Sequence, residues 1–176
     1  MKHLFYPDAY VRSVCDIDYA ALYRRGYRGI VFDIDNTLVP HGTPVTDETA
    51  ALFERIRSLG FSAALISNNS AQRVRPFAER LQVPFFNSAK KPRPDAFRRS
   101  AALLDVRREQ VLFVGDQIFT DVLGANLAGF DCILVRYIGY DEPGPKGKRR
   151  AAEAVILSRY VKSRRYNRLM HTGDPK

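Results

Sequence analysis

The chain has 176 residues and a formal net charge of +9, with 45% hydrophobic and 27% charged residues. This composition is ordinary for a soluble globular protein, and the length suits one domain. No stretch approaches the roughly 20 apolar residues of a membrane-spanning helix, and the N-terminus lacks the apolar core of a signal peptide. We therefore expect a cytoplasmic protein. The basic charge indicates an anionic partner, which could be nucleic acid, anionic lipid or a phosphorylated ligand.

The first half of the chain predicts two strand–helix units. Residues 28–33 form a short apolar run that ends in a carboxylate. Thr46 is typical of a helix N-cap, and Gly60 is typical of the residue that ends such a helix. Residues 61–66 predict a second strand. The helix that follows it contains Pro76, which predicts either a kink or a later helix start.

The second half continues the alternation. We expect a brief strand at 84–86, a helix over 94–104 that begins with proline in its first turn, and a clear strand at 111–114. A helix over about 120–128 and a strand at 132–135 follow. Alternating strands and helices predict a single Rossmann-like α/β domain, with a mostly parallel sheet and helices on both faces.

The domain is expected to occupy residues 1–146, with 1–27 counted as a lead-in segment. Residues 141–147 are rich in Pro and Gly and predict a flexible linker. Beyond it, residues 147–176 are expected to form a basic C-terminal helix and tail, in which the residues from 173 onward are disordered.

The first acidic pair lies directly after the first predicted strand, where Asp33 and Asp35 are followed by Thr37. Two carboxylates two positions apart repel each other and resist joint ionisation, and a bound cation removes that penalty. Such a cation would also neutralise phosphate oxygens. The alternative is an ordinary Asp/Asn-rich turn, in which these side chains bond to their own backbone.

A second acidic pair, Asp116 and Asp121, follows the strand at 111–114. In parallel sheets ligands bind beyond the carboxyl ends of the strands, so both pairs are candidate site residues. Each acid also has a simpler interpretation. Asp116 could cap a turn, and Asp121 could be an acid at a helix N-terminus that the helix dipole favours.

Single residues complete the set of candidates. Ser67 ends the second predicted strand, and its hydroxyl and the N–H groups beside it, including that of Asn68, could hold phosphate oxygens near a helix N-terminus. Lys91 offers a positive charge for the same group, although the adjacent Lys90 leaves the choice between the two lysines open. The alternatives are a helix cap at Ser67 and a solvated lysine.

The order of these groups, acid pair, hydroxyl, lysine and second acid pair, resembles the haloacid dehalogenase superfamily of phosphohydrolases. The resemblance spans about residues 28–135 and depends on four motifs, which are Asp33-x-Asp35-x-Thr37, Ser67, Lys91-Pro92 and Gly115-Asp116-x-x-x-x-Asp121. It implies a Mg²⁺-dependent phosphatase that acts through a phospho-aspartyl intermediate.

The resemblance also implies roles for these residues. Asp33 would be the nucleophile, and Asp35 the general acid and base. Ser67, Asn68 and Lys91 would bind the phosphoryl oxygens. The groups implied to bind Mg²⁺ are the Asp33 side chain, the Asp35 backbone carbonyl, Asp116 and, directly or through water, Asp121.

Cap domains of this superfamily are inserted between the motifs, and no interval here is long enough for one. Thr37 to Ser67 and Ser67 to Lys91 hold one helix and one strand each, which predicts a capless domain with an open site. With the lead-in from Leu4 to Asp8, the motifs resemble the capless type IIIA branch, the YqeG-type proteins related to phosphatidylglycerophosphate phosphatases. That branch implies a lipid phosphomonoester such as phosphatidylglycerophosphate as the substrate.

Other functions remain open from the residues alone. A nucleic-acid-end or small-metabolite phosphatase fits the same charge, with Tyr137 and Tyr140 beside Arg136 as modest candidates for base stacking. A non-catalytic anion-binding module is the alternative from another class. The presence of both Asp33 and Asp35 disfavours such a module, because binding alone does not need the two acids.

The C-terminal segment over 152–165 predicts a basic amphipathic helix, whose apolar face would consist of Ala152, Ile156, Leu157, Tyr160 and Val161. Such a helix can lie on an anionic membrane, here the inner face, or pack its apolar stripe on the domain with the arginines in solvent. An oligomer could also cover the open site.

Overall fold

The structure, a computed structural model, describes residues 3–140 and 147–169. Its strands are β1 (Ala9–Val11), β2 (Gly29–Phe32), β3 (Ser62–Ile66), β4 (Phe85–Phe86), β5 (Val111–Gly115) and β6 (Asp131–Val135). They form one sheet in the order β1-β6-β5-β2-β3-β4, and every pair of neighbours is parallel. The predicted α/β domain with a mostly parallel sheet is confirmed.

The α-helices of the described residues are α1 (Tyr19–Arg24), α2 (Asp47–Ser58), α3 (Ala71–Leu81), α4 (Pro94–Ala101), α5 (Leu123–Ala128) and α6 (Gly147–Val161). They cover both faces of the sheet, as expected. Side chains alternate along β2, so that Ile30 and Phe32 enter one core cluster and Val31 enters the other. The first cluster contains residues of α1, α2 and α3, and the second contains residues of α4 and α5.

The register of the two central strands brings the two acidic motifs together. Phe32 of β2 pairs with Val114 of β5, and the N–H of Asp33 donates to the Val114 carbonyl at 2.9 Å. The residues that follow both strands therefore lie side by side. Because all the strands are parallel, the end of β3 reaches the same edge of the sheet.

Local chemistry sets the ends of α2. The hydroxyl of Thr46 accepts a hydrogen bond from the Thr49 N–H at 3.1 Å, which caps the helix as predicted. Gly60, with φ of 93°, lies directly after the last turn, in a conformation that a side chain disfavours.

Two other helix boundaries differ from the prediction. Helix α3 begins at Ala71, before Pro76, so a later start is wrong; its buried apolar stripe offsets the hydrogen bond that proline removes. Helix α4 ends at Ala101 and not at 104. The N–H groups of Leu103 and Leu104 donate to carbonyls three residues back, which tightens the last turn.

The N-terminal lead-in contains a strand that the sequence analysis did not predict. Strand β1 pairs with β6, with Ala9 opposite Ile133. Three residues at the edge of the sheet are too few for an alternating pattern to be recognised. The segment before β1 is held by the Asn126 side-chain amide, which donates to backbone carbonyls of His3, Leu4 and Tyr6.

The C-terminal helix α6 packs on the domain with part of its predicted apolar face. Tyr160 is 0% exposed, and Ile156 and Leu157 pack against the second core cluster, whereas Val161 is exposed. The helix begins at Gly147, where the C-terminal segment was expected to begin, and ends at Val161, before the end of the predicted amphipathic stretch at 165. No helix among the described residues is long and apolar enough to cross a bilayer.

The remaining predictions for this part of the chain concern segments that the structure does not describe. Residues 141–146 of the expected linker and the tail from 170 onward lie outside the described residues. The domain boundary at residue 146 stays a prediction.

The contact between α4 and α5 generates a prediction of stability. A Cβ on Gly124 would lie 2.1 Å from Cε2 of the buried Phe97 ring. We expect Gly124→Ala to lower the free energy of unfolding by about 2 kcal/mol, because the overpacking cost exceeds the gain in helix propensity of about 1 kcal/mol. Urea denaturation would measure the change. Leu127→Ala, on the exposed side of α5, is the control, and an equal loss there would contradict the explanation.

Candidate active site

A tight turn after β2 positions the first acidic motif. Asp33 follows the strand directly, and Asn36 has φ of 64°, a left-handed conformation that asparagine tolerates well. The Asn36 N–H donates to the Val39 carbonyl at 2.7 Å and closes the turn. Thr37 therefore faces back toward the strand end, where its hydroxyl lies 3.1 Å from Asp33 Oδ2.

The second acidic motif lies beside the first, after β5. Asp116 follows the strand, and the short helical turn at Ile118–Val122 returns Asp121 to the same place. A Cβ on Gly115 would lie 2.5 Å from the Asp121 carboxyl carbon, so only glycine permits this approach. Asp33, Asp116 and Asp121 are buried, and each offers a carboxylate oxygen within 4.8 Å of the others.

Lys91, and not Lys90, lies in this cluster. Its Nζ donates to Asp33 Oδ1 at 2.5 Å and to Asp121 Oδ1 at 2.6 Å, and its side chain is 4% exposed. Lys90 is exposed. The side-chain oxygen of Asn68 accepts a hydrogen bond from the Lys91 N–H at 2.7 Å and fixes the lysine loop.

The carboxylate cluster is short of positive charge. Burial raises the pKa of Asp33 to about 6, although Lys91 acts in the opposite direction. Burial likewise raises the pKa of Asp116 to about 7, opposed by Arg150. Two cations face three buried carboxylates, and the donor atoms are all oxygens. This set fits a hard divalent cation such as Mg²⁺.

The side chain of Asp35 does not join the cluster. It accepts hydrogen bonds from Arg73 Nη2 at 2.8 Å, from the Gly42 N–H at 3.1 Å and from Asn69 Nδ2 at 2.5 Å. Burial favours the neutral form, but the bonds from Arg73 and Gly42 hold the pKa of Asp35 below its usual value. The carboxylate thus faces the N-terminal part of α3 and the loop before it.

Ser67 lies at the same edge of the sheet, at the end of β3. It is buried, and its hydroxyl oxygen accepts a hydrogen bond from the Asn69 N–H at 3.1 Å. Its hydroxyl hydrogen can rotate toward a ligand at the strand end. The loop from Ser67 to Asn69 is thereby connected to both Lys91 and Asp35.

Arg150 lies at the candidate site, although the sequence analysis did not single it out from the basic C-terminal segment. It reaches inward from α6, where its Nη1 donates to the Asp116 carbonyl at 2.9 Å and its Nη2 donates to Asp116 Oδ2. Its Nη1 also pairs with Glu153 Oε2 at 2.9 Å. The spacing of Arg150 and Glu153 on one helix is a signal in the sequence, but it occurs on many exposed helices.

The interval from Thr37 to Ser67 holds α2 and β3, and that from Ser67 to Lys91 holds α3 and β4. The described residues therefore contain no cap domain, as predicted. A cleft of about 860 Å³ opens beside Thr37, and Arg12, Arg136 and Tyr140 are among the residues that line it.

The buried ion pairs of Lys91 generate a second prediction. In metal-free buffer we expect Lys91→Met to destabilise the protein by about 3–5 kcal/mol, because Asp33 and Asp121 lose their shared cation. Without the lysine the native pKa of Asp33 rises further above its unfolded value. The native state then binds more protons, so the loss of stability grows as the pH rises.

Chemical denaturation at about pH 5 and about pH 8 would measure both effects, with the larger loss expected at the higher pH. Lys90→Met removes the same charge from an exposed position and is the matched control. A loss for Lys91→Met that is no larger than for this control would contradict the prediction.

The comparisons with known proteins agree with this geometry. A family model described as HAD-hydrolase-like matches residues 88–156. The "Probable phosphatase YqeG" of Bacillus subtilis is 38% identical over 159 residues, which are 90% of this chain and 92% of that protein. Phosphatidylglycerophosphate phosphatase 1 of Arabidopsis thaliana, chloroplastic/mitochondrial, is 23% identical over 89% of this chain, which spans 48% of that protein.

Solved structures share the fold. A HAD family hydrolase from Streptomyces avermitilis superposes with a TM-score of 0.50 at 16% identity, covering 66% of this chain and 77% of the other. The YqeG similarity extends over nearly the whole of both sequences, and the acid, lysine and hydroxyl motifs meet at one edge of the sheet. The chain belongs to the haloacid dehalogenase superfamily, in the family of YqeG, and is a phosphatase of the haloacid dehalogenase type.

Proposed function

We propose that this phosphatase hydrolyses phosphomonoesters in a Mg²⁺-dependent reaction, with Asp33 as the nucleophile and a phospho-aspartyl intermediate. The observation that carries the proposal is the convergence of Asp33, Asp116 and Asp121 within 4.8 Å, with the Lys91 ammonium between two of them. Carboxylates concentrated in this way favour a cation, and the cation and lysine together favour a phosphate dianion.

The proposed metal ligands are the side chains of Asp33, Asp116 and Asp121 with the backbone carbonyl of Asp35. When bound, Mg²⁺ would neutralise charge on the phosphoryl oxygens and help to orient the phosphate toward Asp33. Lys91 would stabilise charge on the same oxygens. The Ser67 hydroxyl and the Asn68 N–H would donate hydrogen bonds to the remaining oxygen positions.

The reaction has two steps. In the first, an Asp33 carboxylate oxygen bonds to phosphorus while the ester oxygen leaves and takes a proton from Asp35. In the second, water attacks phosphorus, Asp35 accepts the water proton, and the Asp33–phosphorus bond breaks. Arg73 holds Asp35 in the ionised form that the second step requires. For the first step, the nearby phosphate dianion would raise the pKa of Asp35 again.

The proposed substrate is a lipid phosphate such as phosphatidylglycerophosphate. One relative carries that substrate in its name, and a site without a cap domain can accept a large headgroup. Exposed basic residues on α6, among them Lys148, Arg149 and Arg159, would favour peripheral contact with an anionic membrane. We propose that this contact takes place on the inner face of the membrane.

The nucleophile is tested with a substrate panel. Phosphate release would be measured from phosphatidylglycerophosphate in mixed micelles, from a phosphorylated oligonucleotide end and from an aryl phosphate, with and without Mg²⁺. We expect Asp33→Asn to lower kcat on the order of 10⁴-fold or more, because the covalent step is lost. An Asp33→Asn variant that keeps full activity would rule out Asp33 as the nucleophile.

The panel also separates the candidate substrates. Preference for the lipid supports the proposal. Preference for the oligonucleotide would indicate nucleic-acid ends as the substrate in place of the lipid. Turnover of the aryl phosphate alone would indicate small metabolites. Anion binding without turnover of any phosphomonoester would favour a non-catalytic binding module.

Asp35 generates a separate prediction. We expect Asp35→Asn to lower kcat by about 10²–10⁴-fold and, with an aryl phosphate whose leaving group needs no proton, to accumulate phosphorylated enzyme, since the attacking water loses its base. Acid quenching after reaction with a radiolabelled substrate would detect the covalent phosphate. Asp95→Asn, which neutralises an exposed acid on α4, is the control. Unchanged kcat in Asp35→Asn would remove this residue from the mechanism.

A further inference from the structure

We propose that Arg150 is a positioning residue for Asp116, so that the C-terminal helix α6 completes the metal site. The inference depends on the proposed function in one respect, which is that Asp116 is a metal ligand. It assigns a role in that site to a helix that lies outside the motifs of the superfamily.

The contacts of Arg150 fix Asp116 at two atoms. Nη1 donates a hydrogen bond to the backbone carbonyl of Asp116, and Nη2 donates one to its Oδ2, so the guanidinium contacts the main chain and the side chain at once. The other oxygen, Oδ1, lies 3.4 Å from the Thr37 hydroxyl, on the side of Asp33. Arg150 thus limits rotation of the carboxylate and leaves the inner oxygen directed into the cluster.

Arg150 is itself held from two further sides. Glu153 Oε2 pairs with Nη1 at 2.9 Å, and the guanidinium lies over the Tyr137 ring, 4.3 Å from its centroid. Glu153 is buried, and its other oxygen accepts a hydrogen bond from the Phe119 N–H at 3.3 Å. The helix is therefore joined to the segment that follows Asp116, and the arginine side chain is only 18% exposed.

Partners that orient a ligating carboxylate ordinarily change metal affinity when they are removed. A simple charge effect would have the opposite sign, because a guanidinium so near the site repels a divalent cation. Arg150→Lys separates these effects. It keeps the positive charge but loses the planar fork that contacts two atoms of Asp116 at once.

The experiment is a calorimetric titration of the full chain with Mg²⁺ alone. We expect Arg150→Lys to weaken Mg²⁺ binding by about 10–100-fold and Glu153→Gln to weaken it to a smaller extent, because the arginine is loosened. Arg149→Lys is the matched control, since it makes the same substitution at an exposed position one residue earlier on α6. Its affinity should equal that of the wild type.

Asp116→Asn shows whether Arg150 acts through Asp116. In this background the additional Arg150→Lys change should cause no further loss of Mg²⁺ affinity, or of kcat where turnover is measurable. If Arg150→Lys lowered the Mg²⁺ affinity by the same factor in the Asp116→Asn background as in the wild type, the proposal would be overturned. Unfolding measured in the presence of a chelator would identify any variant that fails to fold. If Arg150→Lys fails to fold, the Mg²⁺ affinity of Glu153→Gln tests the proposal in its place.

Each remaining outcome is decisive as well. Wild-type affinity in Arg150→Lys would overturn the proposal, and so would an equal loss in Arg149→Lys or the absence of Mg²⁺ binding in the wild type. The proposed function fails separately. A wild-type protein that binds Mg²⁺ but releases no phosphate from any phosphomonoester would contradict the phosphatase mechanism and leave the role of Arg150 intact.

Discussion

Three buried carboxylates within 4.8 Å of one another repel strongly, and the architecture around them limits that repulsion. Lys91 lies between Asp33 and Asp121, and Arg150 lies on the outer side of Asp116. Burial still raises the pKa of two of these acids, which indicates that the protein cations alone do not balance the charge. A fold that keeps such a cluster holds it ready for a charged ligand, and it does so at the expense of stability.

The sheet is what makes the cluster reproducible. Parallel strands in register place their last residues at one edge of the sheet, so the pairing of β2 with β5 alone brings Asp33 and Asp116 together. Gly115 admits Asp121, and the Asn68 side chain fixes the backbone of Lys91. The positions of Asp121 and Lys91 thus depend on neutral neighbours.

Much of this arrangement could be predicted from the sequence. Buried strands such as β2 and β5 have continuous apolar runs, and an acid directly after a strand has a defined position in a parallel sheet. The positions of Ser67 and Asp116 at strand ends followed from the same argument. The choice between Lys90 and Lys91 could not be made, because the direction of a lysine in a turn depends on backbone angles that composition does not specify.

Strand β1 and the inward position of Arg150 were not predicted, because both depend on contacts between residues that are distant in the chain. Strand β1 is short, and its partner is distant in the chain, so no local pattern marks it. Arg150 looks like one of several arginines on a basic helix, and only tertiary packing turns it inward. Lys91 and Arg150 spend their charge inside the site, but four buried acids there, Asp33, Asp116, Asp121 and Glu153, outnumber them. The rest of the chain is therefore more basic than the net charge of +9 indicates.

The pairing of β1 with β6 also bears on how the protein is made. Ala9 pairs with Ile133, which is synthesised 124 residues later. At about 5–20 residues per second, the N-terminal strand is synthesised about 6–25 s before its partner. During this interval the newly made chain must carry Phe5, Tyr6 and Tyr10 without the surface that later covers them. Folding during translation should thus begin with β2 and β3, and end when the first strand joins the completed sheet.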